Sequence, residues 1–193
     1  MLDSDELFHL GLKEMQNGSS EKAIETLKKC LQQDPKNAKA LYLLGALHAE
    51  IGMYDRSMVE MKEAIELDNS LTIARFQLGL LHFTSNNTEE AKEIWQGLDE
   101  LGESEPLFLF KRGLLLSTEG DMKLCIADLE QGISLNTNND ALNNDMRTMI
   151  AAAEKELNTP AATDIEPAAD AKAPKQLKPT SSTLSAYSQN DND

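Results

Sequence analysis

Basic side chains are scarce in this chain of 193 residues: 18 Lys and Arg stand against 33 Asp and Glu, for a formal net charge of -15. Such a balance repels a phosphate backbone or an anionic membrane surface at long range, so nucleic acid is excluded as an expected partner. The acidic excess itself reads as a solvated outer face. Long apolar runs are missing as well. No stretch approaches the roughly 18 apolar residues of a membrane span, and Met1-Leu2-Asp3-Ser4-Asp5-Glu6 is acidic where a secretory leader needs a basic start. Direct membrane insertion is therefore not expected, and cytoplasmic residence is. Cysteine is limited to Cys30 and Cys125, which form no close-spaced pair and read as packing thiols in a reducing compartment. There is no glycine-rich phosphate loop, no nucleophile elbow and no pair of carboxylates in an apolar setting. Neither a catalytic residue nor a cofactor or metal is expected.

What the chain does have is a period. Gly11, Gly45, Gly79 and Gly113 stand 34 residues apart each time, and their surroundings recur in phase. Self-similarity at that spacing predicts stacked helical hairpins, an architecture that presents a surface to other proteins. The repeats run 4–37, 38–71, 72–105 and 106–139, without insertions. Inside each repeat a turn is expected at Gly18, Gly52, Asn86 and Gly120, residue types that tolerate a left-handed backbone. Ser19, Asn87 and Asp121 follow as expected N-caps, with Glu90 completing a capping box on Asn87. Four glycines inside helices cost roughly 1 kcal/mol each relative to alanine. Small residues twelve positions on, Ala23, Ser57, Ala91 and Cys125, suggest the compensation: small faces small, and two helices approach closely.

Residues 140–157 continue in helical phase with Arg147 at the glycine position, which predicts a capping helix with Asn143, Asp145, Arg147 and Glu154 on its wet face. Four of the six prolines lie in 158–193 among alanine, serine and threonine, so that segment is expected to remain a disordered tail.

The pattern resembles the tetratricopeptide repeat family. Leu10-Gly11, Leu44-Gly45 and Leu78-Gly79 match its Leu-Gly pair, and Ala23, Ala91, Ala64 and Pro35 match its later small residues and terminal proline. Arg112 departs from it, as do Asn69, Glu103 and Thr137 at the proline position and Leu98 and Gly132 at a small one. Repeats three and four are the degenerate copies, and the junction at residues 96–102 is expected to be looser. The resemblance implies an all-α, right-handed α-solenoid acting as a non-enzymatic binding module.

It also implies that the first helix of each repeat lines a concave groove, with repeat positions 2, 5, 9 and 12 facing inward. Position 5 holds Phe8, Tyr42, Phe76 and Phe110. Leu12, Leu80 and Leu114 stand at position 9, Met15 and Phe83 at position 12, and Ile73 and Leu107 at position 2. These side chains either pack between neighbouring first helices or anchor a ligand. The second reading makes them, with Leu43, the expected binding residues for an apolar or amphipathic segment of a partner protein, held by an adaptor or assembly chaperone. The alternative is a structural subunit that self-associates into a homo-oligomer through the same ladder. Lys and Asn of the carboxylate clamp known from chaperone cochaperones are replaced here by Phe8, Leu12, Leu43, Ile73 and Gln77, so no clamp is expected. His48 and His82 share position 11 and read as imidazoles filling half-buried packing sites, with no third metal ligand at helical spacing.

Overall fold

The computed structural model describes residues 2–158, and the expected tail lies outside them apart from Asn158. Four helical hairpins follow in order: α1 (Ser4–Gln16) with α2 (Ser20–Gln33), α3 (Ala38–Glu50) with α4 (Tyr54–Leu67), α5 (Thr72–Thr84) with α6 (Thr88–Trp95), and α7 (Pro106–Thr118) with α8 (Met122–Leu135). A 3-10 turn, Gln96–Leu101, extends α6, and α9 (Asp140–Leu157) closes the stack against α8. No strand occurs among the described residues. The architecture is an all-α solenoid.

The four hairpin turns share one backbone solution. Gly18, Gly52, Asn86 and Gly120 have φ of 70°, 80°, 64° and 84°. The next residue then donates its N–H five positions back: Ser19 to the Glu14 carbonyl, Met53 to His48, Asn87 to His82 and Asp121 to Leu116, at 2.8 to 3.1 Å. Each first helix thus ends by satisfying its own carbonyls, and the chain reverses in a fixed direction. The second helices start less tightly than expected. Ser19 and Asn87 make no side-chain cap bond, so the Asn87–Glu90 box does not form, while Asp121 accepts from Leu124 N at 3.3 Å. The box that exists is at the other end of the array, between Asp3 and Glu6.

The glycine seam is real, and its main occupant is a residue that sequence reasoning passed over. A Cβ on Gly11 would lie 2.9 Å from Leu27 Cδ2, and one on Gly45 would lie 3.0 Å from Met61 Cγ and 3.2 Å from the Ser57 carbonyl. On Gly113 it would lie 3.1 Å from both Leu129 Cδ2 and the Cys125 carbonyl, and on Gly79 it would overlap the Trp95 indole. Leu27, Met61, Trp95 and Leu129 are successive copies of repeat position 24. The missing methyl therefore makes room for a large side chain as well as for a close backbone.

Two buried clusters result. One runs from Leu7 to Leu81 and the other from Phe76 to Ala153, so the two overlap in α5. Ala74, Leu78 and Leu81 face the first cluster, and Phe76 and Leu80 the second. In α9 the expected wet face is partly wrong. Arg147 and Glu154 are exposed, but Asn143 and Asp145 are buried. Asn143 exchanges hydrogen bonds with Asn136, donating to its carbonyl at 2.8 Å and accepting from its Nδ2 at 2.9 Å, which joins the α8–α9 connection to the cap. A paired amide can be buried where an unpaired one cannot.

Candidate functional site

Repeat after repeat, the first helix is sandwiched between its own partner and its neighbours, and this decides how much of the expected ladder can be touched. Phe8, Leu12, Met15, Tyr42, Leu43, Phe76, Leu80, Phe110 and Leu114 are all buried. Phe76 stacks on Trp95 with ring centroids 5.7 Å apart and stands 6.1 Å from Phe110, while Trp95 Nε1 donates to the Phe76 carbonyl at 3.0 Å. Phe110 also occupies the space left by Gly132, where a Cβ would come within 2.6 Å of its Cδ1. An open groove floored by freely accessible aromatics is not what these nine side chains form. As they stand they are buried within the two clusters. Ile73, Phe83 and Leu107 differ: they are half-buried and pack against the second cluster from its edge.

Charged side chains replace apolar contacts between paired helices in repeats two and four. His48 Nδ1 lies 2.5 Å from Glu60 Oε2, and Arg56 Nε donates to Glu60 Oε1 at 3.1 Å. Arg112 grips Asp128 with both arms, Nε to Oδ2 at 2.6 Å and Nη2 to Oδ1 at 2.8 Å, and that bonding raises the guanidinium pKa further. Glu60 and Asp128 are the same repeat position. The position holds Ile94 in repeat three, so His82, the counterpart of His48, has no carboxylate to meet. Its Nδ1 is buried without a hydrogen-bond partner among the described residues. Burial lowers the His82 pKa, with Glu90 opposing and Lys62 adding to the shift. Lys111 is buried under Phe108, 4.8 Å from the ring centroid, and its ammonium bonds Asp99, tying α7 to the 3-10 turn.

These polar pairs hold paired helices together. No group of three His, Cys, Asp or Glu able to hold a metal ion occurs among the described residues. Neither thiol is activated: burial pushes Cys125 up to about 11 and raises Cys30. Among the described residues no helix is long and apolar enough to cross a membrane.

Comparison with known proteins agrees with this architecture. A TPR repeat family model matches residues 11–52, and a tetratricopeptide repeat model matches 38–71 and 108–139. A search of curated proteins finds no match. Among solved structures, PilF of Pseudomonas aeruginosa is similar with a TM-score of 0.58 and 22% identity, over 79% of this chain and 69% of that one. MamA is similar with a TM-score of 0.57 and 23% identity, over 80% of this chain and 87% of that one. With the glycine seam, the left-handed turns and the matched segments in agreement, the chain carries tetratricopeptide repeats over residues 11–71 and 108–139 and is a protein–protein interaction module.

Proposed function

We propose that the module captures an apolar or amphipathic segment of a partner protein along the first-helix face of repeats three and four, as an adaptor or assembly chaperone. One observation carries the reading. Ile73, Phe83 and Leu107 are half-buried apolar side chains packed on the cluster that contains Phe76 and Phe110. They form the accessible edge of a strip floored by the buried cluster. Completing the burial of three such side chains contributes roughly 1 kcal/mol each. A micromolar complex needs about 8 kcal/mol, so this edge alone suits an exchangeable grip that the partner reinforces elsewhere.

The test separates contact from packing. A triple variant, Ile73→Ala, Phe83→Ala and Leu107→Ala, is expected to keep its circular dichroism spectrum at a somewhat lower melting temperature while capturing wild-type partners from the native host at least tenfold less well. Undiminished capture by that folded variant would sink the proposal. Light scattering over a range of concentrations is the second arm: a dimer abolished by the same substitutions would identify a self-associating subunit instead.

A further inference from the structure

The opposite face of the array, built by the second helices, has a gap. Between α4 and α6, over α5, lies a cleft of about 460 Å³ whose apolar surface comes from Met58, Val59, Ile65, Leu78 and Ile94. Val59 is 65% exposed, above every other exposed large hydrophobic side chain among the described residues. The cleft walls are also the most acidic pair of second helices. Within α4 and α6 there are seven Asp and Glu against three Lys and Arg, whereas α2 carries two acids against three lysines. Glu66, Glu90 and Glu93 line it together with Lys62 and Arg75, and His82, whose Nδ1 has no hydrogen-bond partner among the described residues, stands in its wall. An apolar floor, with three carboxylates against Lys62 and Arg75 around it and the acidic second helices α4 and α6 as its walls, favours a basic ligand with spaced apolar side chains.

We propose that this cleft is a docking site for the chain's own segment 171–189. That segment has the complementary chemistry. It carries Lys172, Lys175 and Lys178 and no acid, with Leu177, Leu184 and Tyr187 as its large apolar groups and Ser181, Ser182 and Thr183 as hydroxyl donors. The rest of the chain, by contrast, holds the whole acidic excess. Reach is sufficient: residues 159–171 span up to about 43 Å when extended at ~3.3 Å per residue. The cleft lies two hairpins from α9, some 20 to 30 Å at ~8–10 Å per helix layer. Affinity need not be high either. A tether of this length gives an effective concentration on the order of millimolar, so a contact too weak to survive between separate molecules is populated within one. Docking here leaves the edge formed by Ile73, Phe83 and Leu107 untouched, so this inference and the proposed function stand or fall separately.

A charge swap in the full-length chain tests it. Lys172→Glu, Lys175→Glu and Lys178→Glu together are expected to shift the backbone amide signals of Val59, His82 and Ile94, and added salt should shift the wild type the same way. Reversing the rim with Glu66→Lys, Glu90→Lys and Glu93→Lys should by itself produce the undocked spectrum at Leu184 and Tyr187. Combining both sets should return those two signals toward their wild-type positions. Glu66, Glu90 and Glu93 are exposed, so the rim set spares the fold. Unmoved cleft signals in the lysine variant overturn the proposal, and so do shifts confined to Phe83 and Leu107. Shifts that depend on protein concentration also overturn it, because the occupant is then a second copy.

Discussion

Repeats two and three place a histidine at the same point of the hairpin and use it oppositely. His48 meets Glu60, which Arg56 also holds, and the His48–Glu60 pair forms a buried hydrogen-bonded bridge between α3 and α4. His82 has Ile94 where His48 has Glu60, its Nδ1 finds no hydrogen-bond partner among the described residues, and the neighbouring seam is filled by Trp95 in place of Met61. A repeat position therefore fixes where a side chain points and leaves open what it does. The residue facing it across the hairpin decides that. The same rule explains why Arg112, which departs from the leucine of the family pattern, is stable where it is: Asp128 stands opposite.

The largest way to break the comparison is to remove the carboxylate. Glu60→Ala leaves His48 buried and unpaired, and is expected to cost about 3 kcal/mol in chemical denaturation. His48→Leu with Glu60→Leu should recover most of that, because a packed apolar pair replaces a buried hydrogen-bonded one at little loss. A combined variant no more stable than Glu60→Ala would show that the bridge is not the source of the loss.

Next comes the seam. Gly79→Ala drives a methyl into a rigid indole and is expected to destabilise by about 2 kcal/mol net of the helix-propensity gain. Gly45→Ala, which meets the flexible Met61, should stay within about 1 kcal/mol of wild type. Adding Trp95→Leu should offset part of the Gly79→Ala loss, since repeats one and four seat a leucine there. Equal losses at Gly45 and Gly79, read from denaturant midpoints, would contradict the packing described.

The smallest effect is the most diagnostic of the two histidines. Because the folded His82 pKa lies below its ordinary value of 6.5, the unfolded chain binds the extra proton more readily. The stability it contributes is complete above that ordinary value, is lost as pH falls through it, and levels off below the lowered folded value. Wild-type melting temperature should thus drop slightly more between neutral and mildly acidic pH than that of His82→Leu. Ile94→Glu, which rebuilds the repeat-two bridge, should raise the His82 titration midpoint in an NMR titration. A midpoint that stays put would mean the two sites differ in more than residue 94.

Local backbone chemistry was legible in the sequence. Gly18, Gly52, Asn86 and Gly120 needed only the recognition that a reversal after a helix requires a left-handed residue, and all four adopt it. The N-caps were harder. Ser19 and Asn87 make no side-chain cap bond, whereas Asp121, which enters its helix with nearly the same backbone, does, so backbone geometry alone does not decide the cap. The ladder was hardest. That Phe8, Tyr42, Phe76 and Phe110 line one side of the first helices follows from the period, but their burial depends on how closely the next hairpin approaches. Trp95, Leu98 and Gly132 set that approach, and no window shorter than two repeats contains the information. Asn143 was misplaced for a related reason: its polarity argued for water, and only the fold brings Asn136 within reach.

Trp95 is the chain's single tryptophan, and it belongs to one of the two clusters. Its emission is an optical label for the C-terminal half, while far-ultraviolet ellipticity averages over every helix. Because α5 is a wall shared by both halves, loss of either should strip one face of it, and the two signals should change at a common temperature. Separate midpoints would mean that α5 can be held by one half alone, and the fluorescence trace would then identify which half persists.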